Sequence, residues 1–513
     1  MFHHRLPRYE ILSPEQLDEI DLGWRRIVSE LGIRFDHPEA LAILAAAGQR
    51  IEGDVVFFDP DFVAEKVAGA PSQFTLRGRN PERRMIVGGD QMAFLPVSGP
   101  PFVRRGDERR DATFADHADL CRLAQHFDEI DSPASLLCEP NDVPLDSRHL
   151  SIQRNVLTLT DKPYMGGSIS HVATADSIAM AEIVFGSREA IERDPVMFVI
   201  VNCNSPLNWD ERMLGAMMTC AAAGQAPMVT PFLLMGAMSP VAIGASLAQQ
   251  TAEAFSAVAL CQLIRPGGPV IMGSFLSNTD MQSGSPGFGG PESAIGLICS
   301  GQIARRYGIP WRSGGGGLTS STVMDAQAGF ESFNTLNAAF LAGANCVMQS
   351  AGWLESGLVA SFEKFIMDIE LIRMLQVQYT PIEIDLAWDA HQEVGHGGHF
   401  LGAVHTLERF RDCFYRPMLA STANFERWKR DGSKDAAERA TELVGKALDA
   451  YVQPPMDDAI LSELDEYIER RRTELGAAVR RSRIEQLHRR ARERTGEVVD
   501  GRQTDLDLPV LEL

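Results

Sequence analysis

Long apolar runs are missing from this 513-residue sequence. Nothing approaches the roughly 20 uninterrupted apolar residues of a bilayer span, and Met1 to Arg8 leads into polar sequence rather than a secretory core. The expectation is a soluble protein that stays in the cytoplasm. Cysteine is scarce: Cys121, Cys138, Cys203, Cys220, Cys261, Cys299, Cys346 and Cys413 are scattered with no Cys-x-x-Cys pair, which argues against a disulfide framework and reads as reduced core thiols. Basic residues are outnumbered, 48 against 69 acidic, and the formal charge of −21 repels phosphate backbones and anionic lipid. Neither nucleic acid nor a membrane is expected as a partner. No G-x-S-x-G elbow, H-E-x-x-H helix, P-loop or lysine Schiff-base signature occurs, so the familiar hydrolase, zinc-protease and phosphate-cradle readings lose their anchors.

What is present is a repeat of strand and helix. From about residue 93 to 374 a short apolar or β-branched run, then Gly, Pro, Asn or Ser, then a helical period recur eight times. The clearest unit has Val196–Val201 as strand, Asn202–Asn208 as loop and Trp209–Ala223 as helix, closed by Gly224. After it come Met228–Leu233 with Pro240–Leu263, Pro269–Gly273 with Pro291–Tyr307, Ile309–Arg312 with Asp325–Leu341, and Asn345–Gln349 with Val359–Leu375. Before it come Met92–Val97 with Thr113–Phe127, Ile130–Leu137 with Asp146–Leu159, and Pro163–Met165 with Thr174–Phe185. Helical crossovers of this length favour a parallel sheet, and eight of them match a (β/α)8 TIM-type barrel; an open doubly wound sheet is the alternative, disfavoured by the lack of a G-x-G-x-x-G turn.

The expected organisation is an N-terminal α+β cap over residues 1–90, the barrel over 91–380, and a C-terminal loop and helical extension over 381–513. In the cap, Ser13-Pro14 opens a helix to about Leu31, His37–Ala47 forms a second and Asp59 caps a third. Asp457 to about Arg494 is dense in Glu and Arg on a helical period, which reads as a solvated or partner-facing helix.

Active sites of barrels form in the loops that follow the strands. There the sequence places Glu139, Gly166-Gly167, Asn202, Asn204, Phe232, Ser274, Phe275, Asn278, Arg312 to Gly317, Gln349, Trp353 and Glu355. Gly314, Gly315, Gly316 and Gly317 lack the Lys-Ser/Thr of a P-loop, and a flexible turn accounts for them as well as a close backbone approach does. The loop Phe275–Pro291 is long for a barrel, and long loops in compact domains are usually functional. His396, His399 and His405 invite a metal, but their glycine-rich surroundings argue against a helix and no matching ligands stand nearby, so no metal is expected. The residues by themselves lead to an α/β-barrel enzyme of open chemistry.

The stretch from Gly287 to Leu375, with GFGGPESAIGLICSGQIARRYGIPWRSGGGGLTSSTVMDAQAGFES and LESGLVASFEK, together with GGHFLGAVHTLERFRDCFYRP, resembles the trimethylamine methyltransferase family. The resemblance covers about residues 10 to 470. It implies an α/β-barrel fold and methyl transfer to cobalt(I) of a corrinoid (cobalamin) carried by a separate small protein docked over the barrel mouth. Archaeal members using trimethylamine carry a pyrrolysine near the segment corresponding to Trp353–Gly357; here every residue is standard. The implied branch is therefore the one without pyrrolysine, whose donors are quaternary amines such as glycine betaine. A quaternary ammonium needs no general acid, only a site that holds a cation with one methyl aimed outward. Phe232, Phe275, Trp311, Trp353 and Phe362 are the expected cage, Glu139 or Glu355 the counter-charge, and Arg312 or His399 the partner of a betaine carboxylate. Asn202, Asn204, Asn278, Gly314 to Gly317 and Gln349 are expected where the corrin ring approaches. Two other readings stand beside it: a metal-dependent barrel lyase or hydrolase, and a non-catalytic barrel binding a betaine or the corrinoid protein. A homo-oligomer is compatible with all three.

Overall fold

The computed structural model describes residues 1–495, with side chains described through residue 478. Its main sheet contains seven parallel strands: β1 (Gln91–Phe94), β2 (Tyr164–Met165), β3 (Met197–Cys203), β4 (Ala226–Met235), β5 (Ile271–Gly273), β6 (Trp311–Ser313) and β7 (Cys346–Val347). They pair in the order β1-β7-β6-β5-β4-β3-β2, so from β2 onward each neighbours the next in sequence and the last strand returns to the first, while β1 and β2 do not pair. Between them run α1 (Phe114–His126), α2 (Arg148–Leu159), α3 (His171–Phe185), α4 (Glu211–Ala222), α5 (Ile243–Ile264), α6 (Pro291–Tyr307) and α7 (Ala326–Ala342); α8 (Phe362–Gln378) follows β7. The α/β class is thus as the strand–helix repeat indicates.

The expected second strand, Ile130–Leu137, is not one. Pro133 has no amide donor, and Ala134 sits at φ +56, outside the extended region. The segment still spans the gap between β1 and β2 through Asp131 N–H to Phe94 O (2.9 Å), Met165 N–H to Ala134 O (3.1 Å) and Gly99 N–H to Leu136 O (2.7 Å). Isolated hydrogen bonds instead of a ladder thus link β1 to β2 through this segment.

Local chemistry sets the helix starts. Thr113 and Asp116 form a capping box on α1, Ser170 caps α3, Asp210 caps α4, Asp325 caps α7 and Ser361 caps α8. Trp209, expected as the first residue of α4, pairs in a short strand with Phe35 of the N-terminal region. That region has the three expected helices, Pro14–Arg26, Pro38–Ala46 and Pro60–Ala68, capped by Ser13, His37 and Asp59.

Two strand pairs escape the repeat. Phe275–Thr279, expected as loop, is a strand in register with Phe232–Met235, which lengthens the sheet beyond β5. Phe102–Arg105 and Glu108–Asp111 form a hairpin joined by Val359–Ser361 and Trp353–Leu354 into a four-stranded sheet. After α8 come α9 (Trp388–Val394), α10 (Val404–Cys413), α11 (Ala436–Asp449) and α12 (Asp458–Thr495). The first part of α12 is not solvated all round: Leu464 and Ile468 are buried, and Arg154 forks onto Asp465 at 2.6 and 2.9 Å. The expected C-terminal unit runs on past the described residues. Seven cysteines are buried and all eight are free; Cys413 is the exposed exception to the core reading. Among the described residues no helix is long and apolar enough to cross a membrane.

Candidate active site

A cavity of about 320 Å³ lies at the carboxyl ends of the parallel strands. Side chains alternate across a strand, so residues two apart share a face. Ile200 and Asn202 on β3 and Thr230 and Phe232 on β4 accordingly line the cavity in pairs. The same alternation separates two residues expected together. Arg312 points into the cavity, whereas Trp311 faces helix α6, where a methyl on Gly301 would lie 2.8 Å from its ring, and its indole N–H donates to Ser274 Oγ (3.0 Å).

The wall is aromatic on one side. Phe232 and Phe275 have ring centroids 4.5 Å apart, and Trp353 completes the lining. Behind them Phe288 touches Phe275 edge-on at 5.2 Å and Trp353 at 5.8 Å. Phe288 fixes both rings and comes from the long loop noted in the sequence.

Beside the rings the lining is cationic, with the Arg312 guanidinium carbon 5.9 Å from the Phe275 ring centroid. Arg312 is fully buried, donates to Ser274 O (2.8 Å) and Gln349 Oε1 (2.9 Å), and leaves its Nε without a partner. Burial pushes its pKa down to about 9, so it remains charged at neutral pH. Gln349 adopts φ +51, a left-handed conformation rarely taken by a non-glycine residue, in presenting this acceptor. Arg148 also lines the cavity with a buried, unpartnered Nε; its Nη1 meets Glu139 Oε2 at 3.4 Å. The Trp353 indole N–H is a further unpartnered donor. Among the described residues Glu139 is the single carboxylate of the lining, against two guanidinium groups and His149.

His149 is held from behind. Its Nε2 lies 2.8 Å from Asp176 Oδ2, and Asp176 also accepts from Tyr467 OH and Arg471 Nε of α12, each at 2.7 Å. Burial alone would raise the Asp176 carboxyl, but these three donors outweigh it and hold the pKa at about 2. The C-terminal helix thereby fixes a cavity-lining imidazole.

Of the sequence-predicted residues, the cavity brings together Glu139, Asn202, Phe232, Phe275, Arg312, Gln349 and Trp353. It does not gather the others. Phe362 is the first residue of α8 and wholly buried, with Arg105 stacked 5.0 Å from its ring. Glu355 is taken by Arg109 at 2.9 and 3.0 Å and, with Asn278, lines a separate polar groove. Asn204 is exposed in a turn tethered by Ser205 and Leu207 to Glu253. His399 is exposed on the segment between α9 and α10. The four glycines are buried rather than at a rim: a methyl on Gly314 would sit 2.8 Å from Phe275 Cα, and one on Gly316 2.7 Å from Val347 Cγ1. They admit neighbouring strands and side chains, which gives a packing reason for the run. Arg148, His149 and Phe288 also belong to the site though none directly follows a strand of the repeat: the first two open α2 and the third lies in the long loop before α6. Among the described residues no three His, Cys, Asp or Glu side chains gather as a metal site.

The site is thus a cavity of an α/β enzyme in which aromatic rings and buried guanidinium groups face the same space. The model of the trimethylamine methyltransferase (MTTB) family matches residues 1–476, and the chain belongs to that family of methyltransferases. It is 38% identical over 475 residues, 92% of this chain and 99% of the relative, to glycine betaine methyltransferase of Desulfitobacterium hafniense strain Y51. A trimethylamine methyltransferase of Desulfitobacterium hafniense strain DCB-2 is 27% identical (91% of this chain, 95% of the relative), and the proline betaine:corrinoid methyltransferase of Eubacterium limosum 26% (86% and 94%). Among solved structures, the monomethylamine methyltransferase of Methanosarcina barkeri superposes with a TM-score of 0.52 at 10% identity, over 87% of this chain and 90% of that one, which is a likeness of fold.

Proposed function

We propose that the protein transfers a methyl group from a betaine, glycine betaine first, to the cobalt of a corrinoid carried by a separate small protein. The observation that carries the choice of donor is Arg312, a buried guanidinium with no carboxylate among its hydrogen-bond partners, facing the same cavity as the aromatic wall. A buried unpaired charge costs several kcal/mol, roughly, and is retained where a ligand completes it. Trimethylamine and tetramethylammonium have nothing to offer Arg312; a betaine carboxylate pairs with it bidentately. The trimethylammonium end then lies against Phe232, Phe275 and Trp353, whose faces attract a cation without forming bonds to it.

The corrinoid supplies the nucleophile, cobalt(I), to which the methyl passes while the C–N bonding pair stays on nitrogen. This chain's part is positioning. The aromatic wall holds the methyl groups, Arg312 and Arg148 anchor the far end, and the departing tertiary amine keeps its lone pair, so no proton is needed at nitrogen. Leu145 and Ile169 border the cavity and are 72% and 52% exposed, an apolar rim suited to a flat macrocycle; they replace Gly314 to Gly317 as the landing surface. Free thiols support a cytoplasmic setting.

The test is a panel of methylated amines mixed with enzyme and cob(I)alamin, followed through the cobalt absorbance. Methylation from glycine betaine, with none from trimethylamine, supports the reading. Methylation from trimethylamine and none from any carboxylated donor overturns it.

A further inference from the structure

Helix α8 carries two charged side chains that the proposed reaction does not use. Lys364 and Asp368, one turn apart, are wholly shielded from water, and the Lys364 ammonium meets both Asp368 oxygens at 2.6 Å. A buried ion pair is seldom the most stabilising filling for such a space, since apolar side chains of similar volume often do as well or better. What apolar side chains cannot do is bond to the backbone. Lys364 Nζ donates to Gly317 O (3.2 Å), and Asp368 Oδ2 accepts from the Gly352 N–H (2.8 Å). The fit is close, because a methyl on Gly317 would lie 3.0 Å from Asp368 Oδ2.

These two peptide groups flank the backbone of Gln349. The Gly316 and Gly317 N–H groups donate to Met348 O (2.7 Å) and Gln349 O (2.8 Å), and the Ser350 N–H donates to Leu95 O (2.9 Å). The loop after β6 and the loop after β7 are therefore bonded edge to edge, with the α8 pair tied to both. Gln349 keeps φ +51 between these ties, a conformation that a non-glycine residue holds only where its surroundings over-determine it. Its Oε1 accepts from Arg312 Nη2 (2.9 Å), which with the Nη1 bond to Ser274 O (2.8 Å) sets the plane of the guanidinium.

We infer that Lys364 and Asp368 are positioning residues for Arg312, acting through Gln349. They clamp the two loops so that Gln349 stays in its left-handed conformation and the guanidinium fork stays in the plane that a carboxylate meets bidentately. The inference rests on Arg312 as the partner of the donor's carboxylate. The clamp requires the two backbone bonds rather than the two charges, and neutral pairs separate it from packing.

Lys364→Gln with Asp368→Asn can still donate to Gly317 O and accept from the Gly352 N–H; Lys364→Met with Asp368→Leu can do neither. The readout is the ratio of kcat/KM for glycine betaine to that for tetramethylammonium in cob(I)alamin methylation. The amide pair should keep the wild-type ratio within about threefold, and the apolar pair should lower it by about tenfold or more. In a Gln349→Met background the apolar pair should lower it no further, because the clamp has nothing left to hold. An apolar pair with the wild-type ratio overturns the inference, as do equal losses in both pairs or an undiminished loss in the Gln349→Met background. Should the apolar pair fail to fold, Lys364→Gln with Asp368→Leu cuts only the Gly352 bond and carries the same expectation. A crystal structure of the folded variant, without substrate, should show Gln349 out of positive φ and its side chain away from Arg312; unchanged geometry overturns the inference. A wild-type enzyme with no preference for the carboxylated donor overturns the donor reading, and the crystallographic result then decides the clamp by itself.

Discussion

Replacing Arg312 by Met separates a residue kept for substrate from one kept for stability. Arg312 contributes two hydrogen bonds, to Ser274 O and Gln349 Oε1, and its charge is buried without a carboxylate partner. Losing those bonds costs about 1 kcal/mol each, and removing the desolvated charge returns a comparable amount, so the melting temperature should move by only a few degrees. Binding is different. A betaine carboxylate delivered to a cavity without its guanidinium loses a charge-assisted pair worth about 2–5 kcal/mol, or roughly 30- to 5,000-fold in kcat/KM. Tetramethylammonium, which has no carboxylate, should react slowly with wild type and variant alike, within about threefold of each other. Arg312→Lys keeps the charge without the planar fork and should recover only part of the loss. The assay is initial-rate methylation of cob(I)alamin with both donors. Equal losses for both refute the carboxylate role, and a collapse of the melting temperature refutes the stability argument.

Trp353→Leu removes a cage face and an unpartnered N–H, and should raise the betaine KM about tenfold; Trp353→Phe should keep most of the affinity, and equal losses in the two would show that the face contributes nothing. Lys364 and Asp368 are wholly buried partners, joined further to Gly317 O (3.2 Å) and the Gly352 N–H (2.8 Å), and burial lowers the lysine pKa while raising that of the aspartate to about 6. Lys364→Met alone should cost about 3–5 kcal/mol in urea unfolding and Lys364→Met with Asp368→Leu markedly less, because the single change strands a charge; a double variant as unstable as the single contradicts this. Asp176 has a depressed folded pKa of about 2, so its stabilisation is complete above the usual carboxylate value of about 4 and fades as pH falls toward 2. The stability gap between wild type and Asp176→Asn, measured by thermal melts, should therefore be constant from pH 7 to 5 and close by pH 2; a gap that grows on acidification reverses the sign.

Strand order and most helix starts could be read from the sequence because they depend on local chemistry: apolar runs, then Ser, Thr or Asp before a helix, as at Thr113 and Asp325, whereas the helix expected from Val359 starts only after Ser361 because Val359–Ser361 pairs as a strand. The aromatic and cationic halves of the cavity were also partly visible as residues just after strands. What escaped is set by distant partners or by phase. Alternation says that Trp311 and Arg312 cannot share a face, but only the packed helix α6 shows which one is inside. Glu355 looked free until a strand 246 residues away brought Arg109 to it. Phe288 needed the Phe275–Thr279 strand to turn it behind the cage. Arg148 and His149 carry no local signal, since the start of a helix looks the same whether or not it faces a cavity.

A betaine is the proposed methyl donor. Incubating the enzyme with cob(I)alamin and glycine betaine labelled in its N-methyl carbons, and following the label by carbon NMR, should give one dimethylglycine for each methylcobalamin formed. Label that stays on the betaine while trimethylamine methylates the cobalt would contradict it.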